Sequence, residues 1–385
     1  MSQIVQIIKR AAKEAGFDLC GIAPAADAPE HQHFADWIAA GRAGEMEYMS
    51  SRDERGELKR ASLSRVAPWA RSVVVCAIHY NTAHPYSTEV NDSGRGWISR
   101  YAWSREDYHE AVMRRLKQVE AAIHLAVPGG QFPSVATVEN PTSRKSGEKW
   151  SAPFSTLITR CYVDSGPVVE RVFAKYAGLG WIGKNTCIIN QKKGSWLFLG
   201  VILTSLELAP DVSASNPPAP DRCGTCTRCI AACPTGAIVA PYQLDSNKCI
   251  SYLTIEKRGS IPEDLRADMG RHIFGCDICQ DVCPWNRKAP ATTAPEFEPR
   301  PGLMNPALAW LAEMSIEEFR EVSRRSPVRR ARRSGIRRNA AIAMGNSGNR
   351  KFLFVLERLA ADEEESVAES ARWAKKRLLK SVNSA

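Results

Sequence analysis

Two periods of apolar residues run along this chain. In MSQIVQIIKRAAKEAG apolar residues recur every three or four positions, which predicts an amphipathic helix ending at Gly16. DLCGIA (18–23) and SVVVCAIH (72–79) are short, apolar and rich in β-branched residues, as strands are. Val112, Leu116, Val119 and Ile123 fall on one face of a helix predicted from about 106 to 125. A strand over 157–163 runs into Asp164 and is followed by a helix over 168–176. Residues 186–190 and 196–204 predict a hairpin whose turn is QKKGS.

Between these elements lie segments with no period. ENPTSRKSGEKWSAPFS (139–155) is polar and predicts a surface loop, while APDVSASNPPAPD (209–221) predicts a linker. A second linker over 288–301 leads to helical segments at 337–348, 350–360 and 364–380, which pair like a short helical repeat. The expected architecture is therefore an α/β (α+β) domain over 1–210, a small module over 211–288 and a helical tail over 289–385.

Composition narrows the class. Apolar residues are 44% and charged residues 24% of the 385, which is ordinary for a globular protein. The longest apolar runs, Val73–Ile78 and Leu197–Leu203, are too short to cross a bilayer. The amino-terminal helix has no signal-peptide pattern, so a cytoplasmic protein is expected. Lys plus Arg exceed Asp plus Glu by 52 to 42, a net charge of +10. Eight arginines and no acid fall within RRSPVRRARRSGIRR (324–338). A charge run is usually a solvated helical face, but guanidinium groups at this density suit phosphates, and a nucleic-acid contact is the favoured reading.

Cysteine carries the strongest chemical signal. Twelve cysteines in such a chain argue for metal or redox chemistry over disulfides. Cys20, Cys76, Cys161 and Cys187 stand singly and read as small buried hydrophobes. The other eight are crowded together. Cys223, Cys226, Cys229 and Cys233 form C-x2-C-x2-C-x3-C-P, the bacterial ferredoxin run, and Cys276, Cys279 and Cys283 repeat its tail before Pro284. Cys249 supplies the missing eighth thiolate. By the crossover rule, Cys223, Cys226, Cys229 and Cys283 hold one [4Fe–4S] cluster; Cys233, Cys249, Cys276 and Cys279 hold the other. Structural zinc is the competing reading, but it needs no such run.

Two other patterns carry less. Gly178, Gly180 and Gly183 fit GxGxxG, yet the pattern follows a helix and leads into a strand, the reverse of a dinucleotide site. Asp107-Tyr-His109 half-resembles a corrinoid-ligand motif but lacks its glycine, and His109 reads as packing or surface. Asp164 has two readings. It is a turn or N-cap residue ahead of Pro167, or a buried carboxyl with a raised pKa that acts as a general acid.

Taken together, the segments VDSGPVVER (163–171), AGLGWIGKN (177–185), CGTCTRCIAACPTGAI (223–238), CISYLTIEKRGSIP (249–262) and GCDICQDVCPWN (275–286) resemble, in order, those of epoxyqueuosine reductases. GEMEYM (44–49), SRYAW (99–103) and DYH (107–109) are similar to the same family's amino-terminal landmarks. The resemblance covers residues 1–290 well and the tail more loosely.

The resemblance implies a catalytic domain like that of corrinoid reductive dehalogenases, a ferredoxin-like module and a tail that helps hold tRNA. It implies reduction of the epoxide of epoxyqueuosine, in the wobble position of tRNA, with base-off cobalamin and two [4Fe–4S] clusters. On it, Asp164 matches the catalytic acid. Arg60 matches a cobalamin contact, with Ser99, Ile188, Asn190, Leu199 and Ser251 as further candidates lining the corrin. Lys257 and Arg258 are expected at the anticodon backbone, and Arg329, Arg330, Arg332, Arg333, Arg337 and Arg338 along the stem. A low-potential electron donor of unknown identity and a monomeric state complete the expectation. Reductive dehalogenation of a small molecule and electron transfer without catalysis are the alternatives. The first leaves the basic tail without a use, the second leaves Asp164 and the amino-terminal domain without one.

Overall fold

The computed structural model describes residues 3–127 and 157–380. The expected loop over 139–155 lies outside the described residues. Four strands form one antiparallel sheet: β1 (Leu19–Pro24), β2 (Ser72–His79), β3 (Thr159–Tyr162) and β4 (Leu197–Thr204), in the order β1-β2-β4-β3.

Every residue of β2 is buried, because both faces of the sheet are covered. Val74, Cys76 and Ile78 face α1 (Gln3–Glu14) and α2 (Tyr108–Ala126), meeting Val5, Ile8, Val112, Leu116 and Ile123. Val73, Val75 and Ala77 face the other way, towards Phe173 and Ala174 of α3 (Glu170–Tyr176). The alternation follows from the two-residue period of a strand. Gly200 of β4 makes this packing possible: a Cβ there would stand 2.7 Å from Leu116 Cδ1 and 3.0 Å from Val112 Cγ1. The helix read from Val112, Leu116, Val119 and Ile123 is present, capped by Asp107, whose carboxylate accepts from the His109 amide at 3.0 Å.

The expected hairpin is not formed. Residues 188–189 instead pair with Trp181–Ile182, and β4 lies between β2 and β3. Both edges of β4 are already hydrogen-bonded, so no edge is left for 186–190. The QKKGS turn itself is present, closed by Asn190 and Gly194 exchanging backbone hydrogen bonds at 2.9 Å with Gly194 at φ +71°.

The cysteine-rich segment contains two short matching helices, Arg228–Ala231 and Ile278–Asp281, each bearing a cysteine one turn from another. A third helix, α4 (Ile250–Ile255), starts directly at Cys249. The tail is led by α5 (Arg332–Asn346) and α6 (Glu365–Lys380), which pack through Ala340, Ala341 and Met344 against Val367, Ala371 and Ala374. Gly345 brings them close, since a Cβ there would sit 2.8 Å from Ala374 Cα. The core of the tail also takes in Trp97, Ile98 and Phe274, and Trp97–Ile98 pairs in parallel with His272–Phe274. Packing therefore runs across the expected segment boundaries. Among the described residues no helix is long and apolar enough to cross a membrane.

Candidate functional site

Asp164 stands where the chain leaves β3, with φ +54°, in the left-handed region that a non-glycine residue rarely adopts. That conformation turns the side chain out of the sheet. The expectation of a buried carboxyl is corrected here: the Asp164 side chain is 69% exposed. What holds it is a neighbour. The Tyr108 hydroxyl donates to Asp164 Oδ2 at 2.7 Å, and His109 Nε2 lies 3.8 Å from the same oxygen.

The first turn of α2 is built to present these two rings. Tyr108 stacks on Phe198 of β4 at 4.4 Å with planes 3° apart, and His109 stacks on Tyr108 at 4.0 Å. The His109 ring is anchored by the capping carboxylate of Asp107, 2.8 Å from Nδ1. Burial first, and the Asp164 charge second, push the Tyr108 phenol well above its ordinary pKa, so it remains a donor. His109 therefore belongs to the site and is more than surface or packing. Tyr108 carried no sequence signal of its own beyond the DYH match.

Behind Asp164 lies a second carboxyl that sequence reasoning did not single out. Glu170 opens α3, and its Oε1 is enclosed without a hydrogen-bond partner. Burial, followed by the negative charge of Asp164, pushes its pKa up to about 7. Arg60 reaches the same region, donating to Val168 O at 3.3 Å while its Nε is buried and unpartnered.

The remaining expected corrin residues have different tasks in the fold. Ser99 is buried and donates to Asp277 Oδ1. Ile188 packs in the sheet core, with Leu199 partly buried against it. Asn190 holds the turn, donating to Leu179 O at 2.6 Å and accepting from the amides of Lys192 and Lys193. Ser251 is half-buried, two residues beyond Cys249 on α4. The Asn190 side chain is thus spent on the turn, and its backbone N–H and C=O are spent on Gly194.

The cysteines and the Asp164 site are physically joined. Asp277, next to Cys276, accepts from the Trp97 indole at 3.0 Å and the Arg100 amide at 2.7 Å. Tyr101 then meets Phe274 on one side and Tyr108 on the other, both with ring centroids 5.9 Å apart. The AGLGWIGKN segment ties in both cysteine runs. Lys184 Nζ donates to Gly224 O at 2.5 Å and Cys226 O at 3.1 Å, and Asn185 donates to Cys279 O at 3.3 Å. None of the eight crowded cysteines is tied up in a disulfide. Burial pushes Cys276 well up and Cys283 to about 11, a preference that thiolate binding to iron reverses. Among the described residues no three His, Cys, Asp or Glu converge on a single ion. A cubane needs no such convergence, because each iron takes one thiolate.

The arginine block divides in two. Arg329, Arg330 and Arg332 are exposed and Arg333 is half-buried, donating to Met314 O at 2.7 Å. Arg337 and Arg338 are buried, which corrects the expectation that they meet phosphates. Arg337 donates to Ala312 O at 2.8 Å and pairs with Asp362. Arg338 donates to the carbonyls of Leu253, Lys257 and Gly259 at 2.8, 2.9 and 2.7 Å. The physical reason is helical period: α5 turns these two residues towards α4 and the core. Lys257 and Arg258 lie at the rim, the first paired with Glu45 and the second donating from its backbone to the same carboxylate at 2.8 Å.

A mixed α/β domain joined to eight crowded cysteines, seven of them in ferredoxin runs, with a tyrosine-held carboxyl linked to them through Tyr101, defines an iron–sulfur oxidoreductase. Residues 222–286 match the family described as 4Fe-4S double cluster binding domain. Residues 60–138 match the family described as epoxyqueuosine reductase QueG, DUF1730. An epoxyqueuosine reductase of Xanthomonas campestris pv. campestris is 38% identical over 371 residues, covering 95% of this chain and 94% of its own. That of Escherichia coli K12 is 36% identical, covering 90% and 82%. The chain belongs to the epoxyqueuosine reductase family, oxidoreductases that act in tRNA modification.

Solved structures agree. A crystal structure of epoxyqueuosine reductase with an epoxyqueuosine-modified tRNA-Tyr stem loop matches at TM-score 0.79 and 27% identity, over 98% of this chain and 90% of that one. The Bacillus subtilis enzyme, with its catalytic aspartate loop swung out of the active site, matches at 0.80 and 27%, over the same shares.

Proposed function

We propose that this chain reduces the epoxide of tRNA-borne epoxyqueuosine to the alkene of queuosine, with Asp164 as the proton donor. The overall change takes two electrons and two protons and releases the epoxide oxygen as water. Bound cobalamin, re-reduced through the two [4Fe–4S] clusters, supplies the two-electron nucleophile that opening such a ring requires.

The residues present fit that group. Arg60, with its buried and unpartnered Nε, is a donor poised for a propionamide or phosphate oxygen. Backbone around Ile188 and Asn190, with Ser99, Leu199 and Ser251, completes the candidate lining. Asp164 holds the proton on a carboxyl oxygen, and Tyr108 fixes which oxygen faces the substrate. Glu170, its Oε1 enclosed without a partner, keeps its proton to higher pH than an exposed carboxyl, with a pKa pushed up to about 7. Lys257, Arg258, Arg329, Arg330, Arg332 and Arg333 provide the basic surface for RNA, drawn out of the stack at the wobble base. The electron donor is a low-potential protein meeting the cysteine-rich module, and the enzyme works as a cytoplasmic monomer.

The observation that carries this reading is the contact of Tyr108 with Asp164 on a left-handed backbone, joined through Tyr101 to the cysteine module. The test is turnover by anaerobically reconstituted protein, given reductant and epoxyqueuosine-tRNA with and without cobalamin, with nucleosides read by mass spectrometry. Queuosine formed only with cobalamin is the expected result. No conversion at full cluster and corrinoid occupancy overturns the substrate assignment.

A further inference from the structure

Tyr48 is a large aromatic residue 43% exposed, in the short turn Glu47–Met49, and neither the clusters nor the proton donor account for it. Two guanidinium groups from distant parts of the chain lie over its ring. Arg330 is 5.0 Å from the ring centroid and Arg60 is 5.9 Å. Arg330 comes from the arginine block and Arg60 from the Asp164 region, so Tyr48 bridges the two. Arg330 is paired with Glu256, and both its charge and that of Asp164 reach the tyrosine.

The turn that carries Tyr48 is fixed in place. The Glu45 amide donates to the Tyr252 hydroxyl at 2.7 Å, and Glu45 also holds Lys257 and the Arg258 amide. Gly44, at φ +59°, lies so close to Tyr252 that a Cβ would stand 2.4 Å from its ring. An exposed aromatic ring on a fixed turn, flanked by guanidinium groups, is what single-stranded nucleic acid stacks on.

The chemistry supplies the need. Drawing a nucleotide out of an RNA loop leaves its neighbours without a stacking partner. We propose that Tyr48 is the stacking platform for a nucleobase of the RNA beside the extruded one, its ring standing between the Asp164 region and the arginine block. This rests on the RNA-substrate reading above.

The test uses reconstituted enzyme carrying clusters and cobalamin, as wild type, Tyr48→Ala and Tyr48→Phe. Substrates are an epoxyqueuosine stem-loop for turnover and unmodified stem-loops with 2-aminopurine on either side of the wobble position for fluorescence. Tyr48→Ala is expected to raise KM by roughly ten- to a hundredfold, the size of one lost base stack, with kcat and corrinoid binding retained. One 2-aminopurine position should be quenched by wild type and by Tyr48→Phe, but not by Tyr48→Ala. Unchanged KM and unchanged quenching in Tyr48→Ala overturn the proposal. Lost corrinoid binding in Tyr48→Ala also overturns it, by placing the ring in the cofactor site. If wild type binds and quenches the stem-loops but converts none, the reaction assignment fails and the stacking assignment stands.

Discussion

The Tyr108 hydroxyl meets Asp164 Oδ2 at 2.7 Å, linking the first turn of α2 to a residue 56 positions further along. The two partners are held differently. Tyr108 is clamped by Phe198, and the left-handed backbone at Asp164 costs on the order of 1–3 kcal/mol that the surrounding fold must supply. Exposure leaves the carboxyl open to substrate, while the tyrosine sets its direction. The site is thus a solvent-facing acid held by one directed hydrogen bond.

Removing that bond should slow chemistry more than binding. Tyr108→Phe keeps the ring stacked on Phe198 and deletes only the hydroxyl. A hydrogen bond to a neutral acid is worth about 0.5–1.5 kcal/mol, so single-turnover rates should fall roughly two- to tenfold. KM for the RNA should be little changed. A variant with the wild-type rate would show that Tyr108 does not position the acid.

Glu170 makes a prediction about pH. Its folded pKa of about 7 lies above the unfolded value of 4.5, chiefly because of burial. The folded state therefore binds this proton more tightly than the unfolded chain does. Its contribution to stability is full below 4.5 and is lost as pH rises through 7. Glu170→Gln removes the titration, so the melting temperature of wild type relative to the variant should decline between pH 5 and 7.5 and then level off. The total change is on the order of 1–3 kcal/mol. Parallel melting curves across that range would show that the carboxyl is not enclosed as described.

Much of this was legible in the sequence because it depends on local spacing. The cysteine runs, the buried face of α2 and the turn at 190–194 are set by residues close together in the chain. What was not legible depends on partners far apart. The hairpin failed because β4 had a better neighbour on each edge, which no local pattern records. Asp164 looked buried because its strand is apolar, and only the left-handed turn reveals that its side chain leaves the sheet. Arg337 and Arg338 looked like their neighbours in the block. Charge density does not say which side of a helix meets the core.

That division of the arginine block can be measured. Arg338→Leu leaves the carbonyls of Leu253, Lys257 and Gly259 without their donor, at a cost of about 3 kcal/mol. Melting should drop by roughly 5 °C or more. Arg338→Lys should rescue only in part, since one ammonium cannot replace a planar fork over three carbonyls. Arg329→Ala, at an exposed position, should change stability by less than about 0.5 kcal/mol while reducing the salt slope of RNA binding by about 1. If Arg329→Ala binds RNA with an unchanged slope, that part of the block is only a solvated face.

The last prediction separates the cluster ligands from the cysteine that lies against them. Cys187 is half-buried and its thiol lies against that of Cys279. The ferredoxin spacing nevertheless leaves it out, because eight other thiols complete two cubanes. Anaerobically purified wild type should therefore hold about eight irons per chain. Cys187→Ser should keep that number, while Cys249→Ser should lose about half of it, since Cys249 serves one cubane alone. Equal losses in the two variants would mean that Cys187 is a ligand and the crossover assignment is wrong. Zinc in place of iron in wild type would remove the electron path altogether.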